Sequence, residues 1–282
     1  MQSSSQTEPK FVEHINSVSN TNTASNLKEV WEYKSILYYL IIRDIKVRYK
    51  QTVLGLSWVV INPIITMVVF TFVFGKLADV PSYDVPYPLF SFAALVPWTL
   101  FSRGLIMSST SVVGNSAIVT KVYFPRLVLP IAAFLTAFVD FVLALLVLLI
   151  MMLIVGYVPT VNSIWLPFYI LLLSLAGLGL GFWFSAIQVR ARDINYLMPF
   201  LLQTWIYITP VAYPSSLLNA PWSTLYSLNP MVAVCDGFRW ALLGIDTFHP
   251  TTVVLSAFSA LLLFISGMGF FLRAEPTFAD II

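Results

Sequence analysis

The side chains that could do chemistry in this chain are few, and they lie in strongly apolar sequence. Asp140 is the only charged residue between positions 127 and 156, and Asp236 and Arg239 stand three positions apart in another apolar stretch. A carboxylate in such surroundings costs roughly 3 kcal/mol unless a base or water accompanies it, which makes each acid a candidate functional group. Because residues three apart on a helix share a face, we expect Asp236 and Arg239 to pair.

Other reactive groups are too scattered for catalysis or metal binding. The chain has one cysteine, Cys235, so it forms neither an intramolecular disulfide nor a cysteine-based metal cluster. Its two histidines, His14 and His249, have no partner at ligand spacing. The sequence contains no G-x-x-x-x-G-K-[ST] motif, which would cradle nucleotide phosphates, and no catalytic constellation of His, Asp and Glu. We therefore predict a chain that is not an enzyme and that binds no cofactor or metal itself.

The composition places these side chains in a membrane. Hydrophobic residues make up 59% of the 282 residues and charged residues only 10%, whereas soluble domains carry about 25% charged residues. So few charges cannot cover a water-facing surface, and we predict an all-α polytopic membrane protein surrounded by lipid. The net charge of +2 is too small to favour nucleic acid as a partner.

Six apolar runs are long enough to cross about 30 Å of hydrocarbon. They cover residues 53–76, 89–108, 127–156, 163–187, 196–212 and 251–272. The fifth run is short and ends at Thr209 and Pro210. We expect a six-helix transmembrane domain over 52–273, between a polar, disordered tail over 1–29 and a cytoplasmic tail over 274–282. The first tail has no apolar segment typical of a signal peptide.

Lysine and arginine set the orientation of the spans, because cytoplasmic segments carry an excess of both. If both termini are cytoplasmic, 13 of the 15 basic residues fall in inner segments, Arg103 among them. Only Lys76 and Arg239 fall in outer segments. The bias predicts an even number of spans with both termini in the cytoplasm.

Two cytoplasmic segments are candidates for contacts with a partner. Residues 30–51 have the composition of a basic amphipathic helix in the inner membrane interface, although a simple juxtamembrane anchor remains an alternative. The loop after the second span predicts a short helix that Asn115 or Ser116 caps and that ends near Lys121. An ordinary connection remains the alternative for this loop.

The outer segment between the fifth and sixth spans, residues 213–250, is apolar in pieces and broken by prolines. Its stretch from Met231 to Leu243 predicts a helix that Asn229 and Pro230 begin and Gly244 ends. This helix is too short to cross a bilayer, so we expect a re-entrant or interfacial element.

Three separated stretches resemble the ABC-2 type permeases that export polysaccharides, the family of O-antigen, capsule and teichoic-acid exporters. They read RDIKVRYKQTVLGLSWVVINPI, KVYFPRLVLP and NPMVAVCDGFRWALLG. Their order and spacing match the family from about residue 30 onward. The resemblance implies a bacterial inner-membrane protein that exports a lipid-linked polysaccharide as two copies of itself with two ABC nucleotide-binding subunits. ATP and Mg²⁺ would act on those subunits.

The resemblance also assigns roles to residues. It implies that the interface helix and the 112–122 loop contact the nucleotide-binding subunits, and that the 213–244 segment forms short gate helices at the outer end of a channel. The residues expected at the partner contact are Arg43, Lys46, Arg48, Asn115, Ser116 and Lys121. Asp236 and Arg239 belong to the expected outer gate. For Asp140 we expect a structural role, as a helix-to-helix hydrogen bond or a cavity-facing group.

Aromatic residues are frequent, at 15% of the chain. Trp98, Phe101, Trp205, Tyr207 and Tyr213 are candidates for a path along which a glycan slides, because aromatic rings stack on sugars. An ordinary interfacial aromatic belt is the alternative for each ring. For the whole chain, an ABC-2 exporter of a drug or other amphiphile and an ion-coupled secondary transporter remain alternatives. The secondary transporter would need paired ionisable groups at the midplane and an internal repeat.

Overall fold

The fold is taken from a computed structural model of the chain, which describes residues 29–50, 57–122, 124–219 and 221–281. All the regular elements within these ranges are helices. Apart from Glu29, the predicted polar tail over 1–29 lies outside the described residues. The described part of the predicted interface helix comprises a helical turn at 29–32 followed by α1, Lys34–Lys50.

Long helices build the bundle, and short ones connect or cap it. The long helices are α2 (Ser57–Phe70, continued by a π-helix over Thr71–Leu77), α3 (Tyr87–Gly114), α5 (Val128–Val155), α6 (Leu166–Arg190, preceded by a 3₁₀ turn over Val161–Trp165) and α10 (Pro250–Ala274). The short helices are α4 (Ser116–Val119), α7 (Ile194–Ile208), α8 (Trp222–Tyr226), α9 (Pro230–Leu243) and α11 (Phe278–Ile281).

Five helical segments are long and apolar enough to cross a membrane, where the sequence predicts six spans. They are Ser57–Leu77, Tyr87–Gly114, Val128–Val155, Val161–Arg190 and Pro250–Thr277. The fifth predicted span folds as α7, whose 15 residues cover only about 22 Å at about 1.5 Å per residue. The helix stops because Thr209 takes an extended conformation, with φ −99° and ψ 145°, as residues before proline commonly do.

Helix α7 nevertheless runs lengthwise along the bundle. At its start, Gln188 Nε2 at the end of α6 donates to Asn195 Oδ1 over 2.7 Å. After its end, the hydroxyl of Tyr87 at the start of α3 donates to the carbonyl oxygen of Ala212. The stretch from Asn195 to Ala212 therefore connects the end of α6 to the start of α3.

Close packing of α6 depends on small residues. A Cβ atom added to Gly181 would lie 2.6 Å from Ser108 Cβ on α3, and one added to Gly179 would lie 2.5 Å from the backbone carbon of Leu263 on α10. Because neither distance leaves room for a side chain, α6 approaches both neighbours through its glycines, the usual device for close packing in membranes.

The outer segment folds into α8 and α9, and the predicted helix over 231–243 is present. Asn229 Oδ1 accepts the backbone N–H of Met231 over 3.1 Å, Pro230 occupies the first turn, and Gly244 ends α9 at φ 72°. Every residue of α9 except Trp240 is buried. Helix α9 is therefore buried around nearly its whole circumference, and it packs against α3, α6 and α10.

Candidate functional site

Asp140 lies at the centre of a group of polar side chains that we call the inner charge cluster: Arg48, Tyr49, Arg103 and Asp140. Its Oδ2 atom is 2.8 Å from Arg103 Nη1 and 3.0 Å from Arg48 Nη2. The Tyr49 hydroxyl donates to its Oδ1 atom. The carboxylate is only 2% exposed, so the two guanidinium groups and the hydroxyl take the place of water around it.

The inner charge cluster joins three elements, because Arg48 and Tyr49 end α1, Arg103 belongs to α3 and Asp140 belongs to α5. Arg103, predicted to lie in a cytoplasmic segment, belongs to α3, one of the five helices that are long and apolar enough to cross a membrane. Arg48, expected at the partner contact, points its guanidinium towards Asp140. Asp140 thus makes helix-to-helix bonds of the kind expected for a structural role.

The helix predicted in the loop after the second span is present as α4, but the expected cap by Asn115 is wrong. The residue before it, Asn115, makes no side-chain bond to the backbone of α4. Its Oδ1 atom accepts from Arg43 Nη2 over 2.7 Å, and its Nδ2 atom donates to the Ser111 carbonyl oxygen over 2.7 Å. Asn115 therefore joins the loop to α1, and this contact takes up the side-chain oxygen that the sequence assigned to capping.

The residues expected at the partner contact differ in accessibility. Lys46 and Lys121 are exposed, whereas Ser116 is partly buried. Arg43 is also partly buried, since its Nε and Nη2 atoms donate to Asp44 Oδ1 over 2.9 and 2.7 Å. The two lysines are thus the members of this set that are most open to another protein.

The pair expected in the outer segment, Asp236 and Arg239, is buried rather than exposed. Arg239 is 0% exposed, and its Nη1 atom is 3.6 Å from Asp236 Oδ1. At that distance the two groups form an ion pair but no direct hydrogen bond. Asp236 Oδ1 has no hydrogen-bond partner within the part of the chain that the structure describes. Burial raises the pKa of the Asp236 carboxyl to about 6, while the positive charge of Arg239 opposes the shift.

Backbone carbonyl groups are the main partners of Arg239. Its Nη2, Nε and Nη1 atoms donate to the carbonyl oxygens of Val211, Phe90 and Tyr213 over 2.8, 3.2 and 3.3 Å. Its guanidinium carbon also lies 3.7 Å from the centroid of the Phe90 ring, a cation–π contact. Arg239 therefore fastens α9 to the start of α3 and to the turn that follows α7.

A small cavity lies beside Asp236, with a volume of about 10 Å³. Tyr169, Thr247 and His249 are among its lining residues. A space of this size admits about one water molecule. This cavity is too small for a substrate in this conformation.

The five aromatic residues considered for a glycan path fall into two groups. Trp98 and Phe101 are buried, and the Phe101 ring packs against the rings of Trp98 and Trp205 at centroid distances of 5.6 and 5.4 Å. Tyr207 is 56% exposed, and its carbonyl oxygen accepts from the Tyr213 hydroxyl over 2.9 Å. In this conformation the first group forms part of the core, and Tyr207 is the ring open to the surroundings.

Possible metal-ligating side chains are dispersed within the described ranges. No three side chains of His, Cys, Asp or Glu among those residues converge on a point that could hold an ion. The two buried charge sites instead consist of ion pairs and hydrogen bonds.

Comparison with known proteins adds family information to this geometry. The ABC-2 type transporter family matches residues 36–243. The O-antigen export system permease protein RfbA of Myxococcus xanthus is 31% identical over 216 residues, which cover 76% of this chain and 82% of that protein. An O-antigen export system permease of Klebsiella pneumoniae is 24% identical over 250 residues, covering 88% and 95% of the two chains. The polysialic acid transport protein KpsM of Escherichia coli is 25% identical over 210 residues, covering 72% and 80%.

Proposed function

We propose that this chain carries a lipid-linked glycan across the bacterial inner membrane. The premise is that the chain belongs to the ABC-2 type transporter family and is the permease of a polysaccharide exporter. The observation that carries the proposal is the family match over residues 36–243 together with O-antigen and polysialic acid relatives that align over most of their length. The five long apolar helices provide the membrane domain that such a subunit needs.

Six membrane crossings and two cytoplasmic termini complete the proposed topology. Helix α7 is short, but the stretch from Asn195 to Ala212 runs from the end of α6 to the start of α3. In the proposed arrangement this stretch is the fifth crossing, in which the turn at Thr209 and Pro210 supplies the length that α7 lacks. An even number of crossings then agrees with the distribution of lysine and arginine.

ATP-binding subunits are the proposed source of energy, since ABC-2 permease subunits lack an ATPase domain. The proposed assembly contains two permeases and two such subunits, with ATP and Mg²⁺ bound to the latter. The exposed Lys46 on α1 and Lys121 after α4 are the proposed contact residues, because both are exposed and lie in the two segments that the family resemblance assigns to the partner contact.

Co-purification tests this assembly. We expect the full chain to retain an ABC nucleotide-binding subunit encoded beside it, and the double variant Lys46→Glu/Lys121→Glu to weaken the retention. The matched control is Lys76→Glu, which changes an exposed lysine at the other end of the bundle and should retain the subunit normally. Failure of the unmodified chain to retain any ATP-binding partner would contradict the proposed function.

The outer helices α8 and α9 are the proposed gate. Arg239 holds α9 against α3 through the Phe90 carbonyl, so the outer end is closed by packing in this conformation. Tyr207 and Tyr213 are the proposed glycan contacts on the outer side, and Trp98, Phe101 and Trp205 would reach the glycan only after the helices separate. Unchanged export by a triple variant with alanine at Trp98, Tyr207 and Tyr213 would contradict this glycan path.

The inner charge cluster also bears on the ion-coupled alternative. That alternative expects paired ionisable groups at the midplane, and Asp140 does have two basic partners. Both guanidinium groups contact the same carboxylate oxygen at 2.8 and 3.0 Å, so the three side chains form one ion-pair network that joins α1, α3 and α5. The family match over residues 36–243 favours the ATP-driven exporter over this alternative.

A further inference from the structure

An open cavity of about 290 Å³ lies at the end of the bundle where α3 ends and α5 begins. It separates α1 from the last turns of α3. The lining residues that matter here are Arg43, Asp44, Val47, Arg48, Met107 and Gly114. Its volume is close to the lower limit of about 300 Å³ for small-molecule sites, so it admits a headgroup but not a polysaccharide.

The cavity presents a strong hydrogen-bond donor that protein groups leave poorly satisfied. Arg48 uses Nη2 for Asp140, whereas its Nη1 atom contacts only Met107 Sδ, at 3.5 Å, among the residues that the structure describes. A thioether is a weak acceptor, and a guanidinium carries five N–H donors. Arg48 therefore offers an N–H group on the wall of the cavity that would gain from an anionic acceptor.

The charge around the cavity favours an anion. Arg43, Arg48 and Arg103 face two carboxylates, Asp44 and Asp140, which leaves one positive charge in excess. The Asp140 side chain is 2% exposed, while that of Arg48 is 32% exposed. Asp44 does line the cavity, but its Oδ1 atom accepts two bonds from Arg43. The accessible groups are therefore mainly cationic.

One edge of the cavity is apolar and accessible. Val47 lines it and is 64% exposed, and it lies on the helix that the sequence assigns to the membrane interface. A ligand that enters along this edge can keep a hydrocarbon chain in the bilayer while its polar group reaches the arginines. The cavity is thus open both to lipid and to an anion.

We propose that this cavity binds the phosphate or diphosphate group that links the glycan to its lipid carrier. Hydrogen bonds from a guanidinium N–H to a phosphoryl oxygen join two charged groups and are therefore strong. Asp140 acts as a positioning residue, because its carboxylate contacts Arg48 Nη2 and so fixes the orientation of the guanidinium. The inference rests on the proposed function, and it adds the place where the substrate is recognised before transport.

Binding of geranylgeranyl diphosphate to the full chain in phosphatidylcholine nanodiscs tests the inference. We expect saturable binding that Arg43→Gln and Arg48→Gln each weaken by about tenfold, since each removes a charged donor. The matched control is Arg190→Gln, which removes an exposed arginine from the end of α6 and should leave the affinity unchanged. Thermal unfolding of each variant shows whether it is folded.

A second pair of variants tests the cavity without removing a charge. A Cβ atom on Gly114 would meet nothing within 4 Å, and the same is true of Gly269 on α10. Because Gly114 lines the cavity, Gly114→Leu should fill part of it and reduce binding. Gly269→Leu places the same side chain outside the cavity and should bind the probe normally.

Competition identifies the source of the phosphate. Geranylgeraniol, which lacks the phosphates, should not compete, and inorganic pyrophosphate should compete only at much higher concentration. Equal competition by pyrophosphate or by phosphatidylglycerol would overturn the assignment to the lipid carrier, and so would unchanged binding in the three cavity variants. Either result would leave the proposed function standing if the ATP-binding subunit still co-purifies.

Discussion

The two buried charge sites of this protein are built in opposite ways. In the inner charge cluster, one carboxylate receives two guanidinium groups and a hydroxyl from helices that are distant in sequence, with Arg103 and Tyr49 lying 37 and 91 positions from Asp140. In the outer segment, one guanidinium donates to three backbone carbonyls, and its acid lies only three positions away. The inner site is organised around an acid and the outer site around a base.

Because of this difference, we expect the site around Arg239 to be rigid and the inner charge cluster to be able to rearrange. Arg239 is fully buried and bonded to backbone, so its removal would leave the turn carbonyls of Val211 and Tyr213 without this donor in a dry environment. Arg48 and Arg103 have side chains that are 32% and 23% exposed, so water or an anion can replace part of what they lose. The outer site therefore suits a closed gate, and the inner site suits a place where a substrate or a partner acts.

Arg239→Met should have the largest effect on stability. It leaves Asp236 buried without its base and removes the donor of the Val211 and Tyr213 carbonyls, and we expect a loss of about 3–5 kcal/mol in the free energy of unfolding. Unfolding of the purified chain in detergent measures the loss. Lys76→Met, which removes an exposed basic residue, is the control, and an equal effect of the two variants would remove the proposed role of Arg239.

The coupling between Asp140 and Arg103 should be smaller but measurable. We expect a double-mutant cycle with Asp140→Asn and Arg103→Gln to give a coupling energy of about 1–3 kcal/mol, because the two groups are in direct contact. The same unfolding experiment supplies the four free energies. Additive effects would mean that the ion pair contributes nothing and that the inner site is not organised around the acid.

Tyr49→Phe should have the smallest effect of the three. It removes one hydrogen bond to Asp140 and leaves both arginines in place, so we expect a loss of about 0.5–1.5 kcal/mol. Tyr38→Phe on the same helix is the control, because Tyr38 is 68% exposed and should tolerate the change. A loss in the free energy of unfolding as large as that of Arg239→Met would contradict the proposed difference between the two sites.

Local sequence signals were sufficient where neighbouring residues decide the structure. Asn229, Pro230 and Gly244 predicted both ends of α9, and the i, i+3 spacing predicted the pair of Asp236 and Arg239. Thr209 and Pro210 marked where the fifth apolar run would end. The short α7 follows from that signal, because hydropathy measures how apolar a run is and not where its helix stops.

Contacts between distant segments were beyond the reach of the sequence. Nothing near Asp140 shows that Arg103 and Arg48 would meet it, since helix packing decides which faces come together. For the same reason the sequence could not show that Arg239 is enclosed by carbonyl groups or that Phe101 is buried. The cavity beside Arg48 likewise depends on how α1 lies against the last turns of α3.

Transport in proteoliposomes tests the central claim most directly. The chain and its ATP-binding subunit would be reconstituted with a lipid-linked glycan in the outer leaflet, which stands in for the cytoplasmic side. We predict ATP-dependent movement of the glycan into the lumen, abolished when the P-loop lysine of the partner is replaced. Movement that needs no ATP-binding subunit, or that follows an imposed proton gradient instead, would contradict the account.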